Sequence, residues 1–441
     1  MSLPIVAVVG RPNVGKSSFF NRIIGQRLSI VEDVPGVTRD RIYAEAEWCG
    51  KNFALIDTGG IDEKSDDVIF SQMREQAEIA MDMADLIVFM VDGKEGLTSN
   101  DREVSDLLRM TKKKVLLFVN KIDNSTKLPD DYYDFYELGF GEPIPISAAN
   151  MTGLGDALDE IVNGLGEDAF AEHEEDSLKL AIVGKPNVGK SSFVNAIIGE
   201  NRVIVSEIAG TTRDSIDTPF EYEEEKFVLI DTAGMRRKSK VTENIERYSV
   251  IRAIGAIERS DVSLLMIDAV EGVTDQDKKI AGLIHEAGKG IVIAINKWDL
   301  VEKDTHTMDK YRDRIRKELP FLSYAPDVFI SVKDGQRLKN VLSLVSTVAA
   351  NCSMRVPTSH LNGLIQDAIA MKSPPSDKGK RLKIYYVSQV GVKPPLFSFK
   401  INKRDLLHFS YSRYLENKIR EVYGFAGTPI SFVFREKGGD D

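Results

Sequence analysis

Two eight-residue stretches with the spacing Gly-x-x-x-x-Gly-Lys-Ser carry the most specific chemistry of this chain. They span residues 10–17 and 184–191, with a separation of 174 positions. The glycines of such a loop let successive N–H groups face a polyphosphate, the lysine reaches the β- and γ-phosphates, and the serine hydroxyl ligates Mg²⁺. We predict two nucleotide sites from these stretches and the serine after each: Gly10, Arg11, Pro12, Asn13, Val14, Gly15, Lys16, Ser17 and Ser18; Gly184, Lys185, Pro186, Asn187, Val188, Gly189, Lys190, Ser191 and Ser192.

A second motif, Asp-x-x-Gly, follows each phosphate loop. Its aspartate is expected to hold Mg²⁺ through water, and its last glycine offers an N–H to the γ-phosphate. The predicted contacts are Asp57, Thr58, Gly59, Gly60 and Ile61, and Asp231, Thr232, Ala233, Gly234 and Met235. Thr38 and Thr212 lie in polar segments ahead of these motifs, where each can reach Mg²⁺ only while a γ-phosphate is present, so that the segments act as switches.

These roles define a catalytic and a metal set. The predicted catalytic residues are Lys16, Thr38, Gly60, Lys190, Thr212 and Gly234. The predicted Mg²⁺ ligands are Ser17, Thr38, Asp57, Ser191, Thr212 and Asp231.

The motif Asn-Lys-x-Asp decides which base is bound. The carboxylate of Asp123 or Asp299 can accept from both N1–H and the 2-amino group of guanine, whereas adenine offers no such donor pair. GTP or GDP is therefore the predicted ligand, and ATP is rejected because it would leave a buried carboxylate unpaired. The predicted base contacts are Asn120, Lys121, Ile122, Asp123, Ser147, Ala148 and Ala149, and Asn296, Lys297, Trp298, Asp299, Ser331, Val332 and Lys333.

The elements that must position these motifs alternate between buried strands and amphipathic helices, which predicts an α/β fold with mostly parallel, doubly wound sheets. The motif order recurs, with most copies 174 to 176 residues apart, so the chain contains a duplication. We predict two tandem P-loop GTPase domains, 1–165 and 178–356, joined by an acidic linker, 166–177.

The remaining segment, 357–441, has no phosphate loop and is predicted as a small α+β domain. It holds 14 Lys and Arg against 8 Asp and Glu, a net charge of +6, so the rest of a chain of net charge −10 carries −16. This asymmetry makes the C-terminal segment the predicted nucleic-acid contact. A solvated basic face without a partner is the alternative.

Composition limits the setting of the protein. Two cysteines cannot form a disulfide framework, which favours a reducing, cytoplasmic location. There is no apolar stretch of 18 residues, so no membrane span is predicted, and we expect a monomer.

The motif order resembles the translation-factor-related GTPases. The tandem arrangement with a small third domain is similar over nearly the whole chain to the bacterial double-domain GTPase family called Der or EngA. The resemblance implies GTP hydrolysis coupled to assembly of the large ribosomal subunit or contact with its rRNA, and a C-terminal domain like a KH domain. It also implies that Asn13 and Asn187 help to bind K⁺, as in related potassium-activated GTPases, although each asparagine can instead simply support its loop.

Three features depart from the patterns of related proteins. Ile61 and Met235 stand where Ras-like proteins place a water-orienting glutamine, so slow intrinsic turnover is expected. Val332 replaces an alanine in the Ser-Ala motif. The C-terminal segment lacks the Gly-x-x-Gly of RNA-clamping KH domains, so docking on the other domains is an alternative role.

A basic run at 236–240 follows Asp-x-x-Gly in the second domain alone, and can be an RNA contact on a switch or a plain charged loop. Two rival functions also remain. A tRNA-modification GTPase usually has one G domain, so the duplication counts against it, and the other rival is a GTP-dependent binding module with a silent site.

Overall fold

The computed structural model of the chain describes most of its residues. They are 3–24, 43–57, 74, 77–78, 80–81, 83–124, 128–166, 169–170, 177–199, 204–205, 217–231, 245–377 and 380–436. The described residues fall into two compact units, one drawn from 1–174 with 250–255 and the other from 175–249 with 256–441.

The first unit is built on a six-stranded sheet of order β2-β3-β1-β4-β5-β6. All strand pairs are parallel except β2 with β3, which is the mostly parallel arrangement predicted from the sequence. The strands are β1 Ile5–Val9, β2 Tyr43–Trp48, β3 Lys51–Asp57, β4 Leu86–Asp92, β5 Lys114–Asn120 and β6 Ile144–Pro145.

Both faces of this sheet are covered. Every residue of β1 and β4 is buried, so successive side chains that alternate between the two faces are all out of solvent. Phe19 of the first helix packs edge to face on Phe118 of β5, with 5.7 Å between ring centroids. The principal helices of the unit are Lys16–Ile24, Ser99–Leu108 and Leu154–Leu165, with a 3₁₀ helix at Asp130–Leu138 that the sequence patterns did not predict.

The second unit repeats this plan with a seven-stranded sheet of order β13-β12-β11-β7-β10-β9-β8. Antiparallel pairing is confined to β8, β9 and β10 at one edge. The strands are β7 Ser177–Val183, β8 Ile204–Val205, β9 Thr218–Tyr222, β10 Glu225–Ile230, β11 Val262–Asp268, β12 Gly290–Asn296 and β13 Asp327–Phe329. Helices are Lys190–Gly199, Ile245–Arg259, Asp275–Glu286, Thr307–Glu318 and Leu338–Ser353.

The C-terminal segment is α+β, as predicted. Its three-stranded sheet pairs β17 (Leu396–Ile401) antiparallel with β16 (Ile384–Gly391) and parallel with β18 (Ser431–Glu436). Two helices, Thr358–Met371 and Phe409–Tyr423, share its core.

Short elements precede the first strand and the second helix of this segment. The N–H of Leu382 donates to the carbonyl of Pro375 beside a short ladder between β14 (Ser376–Asp377) and β15 (Lys380–Arg381). Arg404–Leu406 forms a 3₁₀ turn ahead of the helix that begins at Phe409.

The C-terminal segment is docked on the second sheet within the same unit. The N–H of Ile291 donates to the carbonyl of Gly427, and the N–H of Gly427 donates to the carbonyl of Tyr324, both at 2.8 Å. The guanidinium of Arg420 lies over the ring of Tyr324 at 4.5 Å. Docking on a G domain, the alternative role weighed from the sequence, is therefore a feature of this fold.

No helix within the described ranges has the length and apolar character needed to cross a bilayer.

We expect a half-buried histidine at this docking contact to make the second unit sensitive to acid. The Nδ1 atom of His285 lies 2.9 Å from the hydroxyl of Tyr324, with Glu416 and Arg420 as the facing charges. Burial lowers the pKa of His285 below its ordinary 6.5, while Glu416 opposes the shift and Arg420 adds to it. The folded state thus binds fewer protons than the unfolded state, and the stability held above pH 6.5 is lost as pH falls through the folded pKa.

We expect the free energy of unfolding to fall between pH 7.5 and 5.5 by at most about 1.4 kcal/mol per pH unit from this one proton. His285→Gln keeps a hydrogen-bonding side chain without titrating, so it should flatten the dependence. The measurement is urea unfolding followed by the fluorescence of Trp298 in a Trp48→Phe background. The exposed His360→Gln serves as control, and equal slopes for both variants would contradict this assignment.

Candidate functional site

Each phosphate loop joins a buried strand to a helix at the carboxyl edge of its sheet. The second glycine of each loop lies in the left-handed region, with φ of 99° at Gly15 and 101° at Gly189. A Cβ atom at these positions would overlap the side-chain amide nitrogen of Asn120 or Asn296. Glycine is therefore required both by backbone conformation and by the close approach of the base-recognition motif.

The loop lysines lie inside the loops. Nζ of Lys16 donates to the carbonyls of Gly10 and Arg11 at 2.5 and 2.7 Å, and Nζ of Lys190 donates to those of Gly184 and Lys185, both at 2.7 Å. Burial lowers the pKa of each lysine to about 8. The charge of Asp57 opposes this shift for Lys16, and that of Asp277 opposes it for Lys190. A desolvated ammonium of this kind gains strongly from a neighbouring phosphate.

A serine and an aspartate meet beside the first loop. Oγ of Ser17 donates to Oδ2 of Asp57 at 2.9 Å, and Asp57 is almost fully buried at the end of β3, opposite Val8 of β1. This hydroxyl and carboxylate suit Mg²⁺, which prefers oxygen ligands and takes the remainder from water and substrate phosphates.

In the second unit the corresponding aspartate, Asp231, has φ of 56°, and its N–H donates to Asp217 at 3.0 Å. Within the described ranges no cluster of three His, Cys, Asp or Glu side chains forms a metal site by itself.

The asparagine of each base motif bridges three loops. Asn120 donates through Nδ2 to the carbonyl of Val14 at 2.7 Å and accepts at Oδ1 from the N–H of Ala148 at 3.0 Å. Asn296 repeats this arrangement with Val188 at 2.7 Å and Val332 at 3.1 Å. The N–H of Val332, expected to face the base, thus donates to Asn296 in this structure, and valine preserves that bond as alanine would.

The lysine of each base motif is held by an aspartate that the sequence patterns did not single out. Nζ of Lys121 lies 2.5 Å from Asp92, and Nζ of Lys297 lies 2.6 Å from Asp268. Burial alone would raise the pKa of Asp92 and of Asp268, but the hydrogen bonds from the lysine and from backbone N–H groups hold it below its ordinary value. Each lysine stem is thereby fixed along the expected position of the base.

The two carboxylates that the sequence predicts to recognise guanine have different surroundings. Asp123 accepts from Ser147 and Asn150, both at 2.9 Å, and from Nζ of Lys94 at 2.8 Å. The bond from Lys94, and next that from Ser147, hold the pKa of Asp123 below its ordinary value. Asp299 accepts from Ser331 at 2.7 Å, and the residue that corresponds to Lys94 is Val270.

The structure also places the other predicted residues of the described ranges. Asn13 and Asn187 are exposed at the loop tips, with φ of 64° and 63°. The carbonyl of Ala149 accepts from Arg22 at 3.1 Å. Ten predicted residues lie outside the described ranges: Thr38, Thr58, Gly59, Gly60, Ile61, Thr212, Thr232, Ala233, Gly234 and Met235. The basic run 236–240 also lies outside them.

An ion-pair cluster beside each phosphate loop, with one partly exposed carboxylate and one buried carboxylate, was missed from the sequence. Arg11 pairs with Glu95 at 2.7 Å and lies 3.5 Å from Asp101, which is fully buried in the capping box of the next helix. Lys185 pairs with Glu271 in the same way, beside Asp277. The signal was present, because Asp-x-x-Glu-Gly-x-Thr-x-x-Asp begins at both 92 and 268.

These clusters anchor the residue whose carbonyl accepts from the loop lysine. Burial raises the pKa of Asp101 and of Asp277, with hydrogen bonds from Thr98 and Thr274 opposing the shift. The basic residue pairs with an exposed glutamate and lies beside the buried aspartate of the next helix, so the phosphate loop is tied to that helix.

Comparison with known proteins gives family matches over both units. A family described as "50S ribosome-binding GTPase" matches residues 5–121 and 179–297, and one described as "KH-domain-like of EngA bacterial GTPase enzymes, C-terminal" matches 355–435. A "GTPase Der" of Alkaliphilus metalliredigens is 60% identical over 441 residues, which is all of both chains. Those of Alkaliphilus oremlandii (59%, all of both chains) and Acetivibrio thermocellus (58%, 99% of both chains) are similar.

The asymmetry at the base pocket predicts unequal affinities that a reciprocal exchange should reverse. We expect guanine to compete with the ammonium of Lys94 for Asp123 in the first site. Lys94→Val should therefore tighten GDP binding there by roughly threefold, the small factor typical of an exposed ion pair. Val270→Lys should weaken the second site by a similar factor. The Lys94→Val variant is measured by titration with fluorescent GDP in a Lys190→Ala background, which disables the second site. The Val270→Lys variant is measured in the same way in a Lys16→Ala background. Changes in the same direction at both sites would contradict the competition.

Proposed function

This chain belongs to the GTPase Der family, whose members are ribosome-assembly GTPases, and we propose that its two nucleotide sites control the binding of the protein to the large ribosomal subunit. The chain is a GTP-hydrolysing enzyme with two GTPase domains and a KH-like C-terminal domain. The observation that carries the proposal is the repeated array at each sheet edge: a lysine that donates to two carbonyls of its own loop, and an asparagine that ties the base loop to the phosphate loop. We further propose domain limits of 1–165, 178–356 and 357–441, with 166–177 as linker.

In each site the proposed roles follow from the donors and acceptors. Lys16 and Lys190 exchange their carbonyl partners for the β- and γ-phosphate oxygens, which offsets the charge that develops during phosphoryl transfer. Ser17 and Asp57, and their counterparts Ser191 and Asp231, are proposed to hold Mg²⁺, which neutralises phosphate charge when bound.

The switch residues complete this proposal. Thr38 and Thr212, with the N–H groups of Gly60 and Gly234, are proposed to sense the γ-phosphate. Ile61 and Met235 cannot orient a water by hydrogen bonding, so the proposed intrinsic turnover is slow.

The proposed partner is the large ribosomal subunit or its rRNA. Support comes from the match to the 50S ribosome-binding GTPase family and from the net charge of +6 in the C-terminal segment, against −16 elsewhere. The run 236–240 in the second switch is proposed as an additional contact. We propose that the protein acts as a monomer in the cytoplasm.

Base choice tests the sites and the partner together. Replacement of Asp123 and Asp299 by Asn substitutes an amide that can donate to the 2-oxo group of xanthine, so GTP affinity should fall by at least about a hundredfold and XTP affinity should rise. We expect the double variant to co-sediment with large subunits when a non-hydrolysable XTP analogue is present, and the wild type to do so only with the GTP analogue. Unchanged GTP affinity would refute the site, while restored nucleotide binding without co-sedimentation would refute the partner.

We also propose that K⁺ stimulates hydrolysis through Asn13 and Asn187. Their exposed side chains at the loop tips support a role toward a ligand, although a left-handed backbone by itself favours asparagine. A cation beside the phosphates would offset the developing negative charge, so exchange of Na⁺ for K⁺ at equal ionic strength should raise kcat by roughly tenfold. Asn13→Gly with Asn187→Gly, which keeps the backbone conformation, should abolish the difference, and equal rates of the wild type in both salts would remove the proposal.

A further inference from the structure

The outer face of the C-terminal sheet carries a row of side chains that the nucleotide chemistry does not use. In the register of the strands, Tyr386 of β16 lies opposite Lys400 of β17, and Lys400 lies opposite Arg435 of β18. Tyr386 is 48% exposed, and both cations are exposed. One aromatic ring and two positive charges therefore share a single row across three strands, which we call the Tyr-Lys-Arg row.

The alternation of side chains shows that this is the face away from the core. Val387, Phe397 and Phe399 are fully buried and belong to the core that the two helices share. Because successive side chains of a strand point to opposite faces, the Tyr-Lys-Arg row points outward. The next outward row consists of Ser388, Ser398 and Val433, which adds hydroxyl groups beside the cations.

The charge of this face favours an anionic partner. β16 and β17 contain no acidic residue, and the one carboxylate of β18, Glu436, accepts from the N–H of Arg404 at 2.6 Å. Lys380, Arg381 and Lys383, which precede β16, are exposed as well.

Docking within the unit leaves this row accessible. Three contacts with the rest of the unit lie away from the row: the N–H of Lys393, in the loop before β17, donates to the carbonyl of Cys352 at 3.0 Å, Gly427 bonds in the loop before β18, and Arg420 of the second helix lies over Tyr324. Lys400 lies four residues beyond Leu396, where β17 begins, which is a distance of about 13 Å along an extended strand. A partner can therefore bind the row while the segment stays docked.

We propose that the Tyr-Lys-Arg row binds single-stranded RNA. Tyr386 stacks on one base, and Lys400 and Arg435 contact phosphates of that nucleotide and its neighbour, since three strands span about 10 Å. A paired helix keeps its base faces stacked inside, so stacking on an exposed ring requires unpaired nucleotides. The inference rests on the proposed function, because the large subunit would supply the unpaired rRNA, and it assigns the contact to a sheet face in a segment that lacks a Gly-x-x-Gly loop.

The first test measures binding of the full-length protein to a labelled, unstructured RNA 12-mer by fluorescence anisotropy. Tyr386→Leu, which retains strand propensity, should weaken binding by about tenfold through loss of stacking. Lys400→Gln with Arg435→Gln should lower the slope of log affinity against log salt concentration by about 1.4, or 0.7 for each lost phosphate contact. A duplex of the same sequence should bind more weakly than the single strand and should not respond to Tyr386→Leu.

Matched controls lie off the sheet face. Phe409→Leu removes an aromatic ring that is 59% exposed at a helix start, and Lys372→Gln with Lys317→Gln removes two exposed cations. All variants should hydrolyse GTP at the wild-type rate, which establishes that they are folded. Control variants that lose as much affinity as the row variants, row variants that bind like the wild type, or a duplex that binds as tightly would each overturn the proposal.

Co-sedimentation with large ribosomal subunits separates this inference from the proposed function. Reduced co-sedimentation of the row variants, with the controls unaffected, would support both. If the wild type and the row variants co-sediment equally, the sheet face is not the rRNA contact, although the proposed function stands. If the wild type fails to co-sediment in the presence of a GTP analogue, the proposed function fails, and the 12-mer assay alone decides whether the row binds RNA.

Discussion

One buried side-chain amide holds each nucleotide site together. Asn120 joins the phosphate loop at Val14 to the loop at Ala148, and Asn296 joins Val188 to Val332. The residues bonded through Nδ2 are 106 and 108 positions apart, so the bond exists only after the parallel sheet has brought its strand ends to one edge. A lost partner would leave a buried polar group unpaired at a cost of about 1–3 kcal/mol, so the geometry of the site is coupled to folding.

The duplication separates what the chemistry requires from what it tolerates. Both copies keep the loop lysine, the bridging asparagine and the ion-pair cluster beside the phosphate loop, with Arg11 in one and Lys185 in the other. The copies differ beside the carboxylate predicted to recognise guanine, where Lys94 in one corresponds to Val270 in the other. The shared residues fix the geometry of the loop and therefore cannot vary freely. The difference between Lys94 and Val270 only adjusts the competition for one carboxylate.

The C-terminal segment illustrates how one small domain separates its surfaces. Its inner sheet face supplies the core, its loops dock on the second sheet through backbone hydrogen bonds, and its outer face remains exposed. Docking and the proposed RNA contact thus use different parts of the segment. His285 and Tyr324 lie at the docking contact and not at the outer face, so the effect that we expect from acid falls on docking.

The sequence by itself determined the α/β fold class, the duplication, the phosphate loops and the choice of guanine, because each depends on local spacing or periodicity that a pattern reveals. It did not determine the partners of the motif residues, such as Asp92 for Lys121 or Glu95 for Arg11, nor the docking of the C-terminal segment through Gly427. Those pairs join residues distant in the chain, and only the packing of strands and loops decides which of many Asp, Glu and backbone groups stand within bonding distance. The strand register likewise decided that Tyr386, Lys400 and Arg435 form one row, since residues of separate strands share a row only after the sheet has formed.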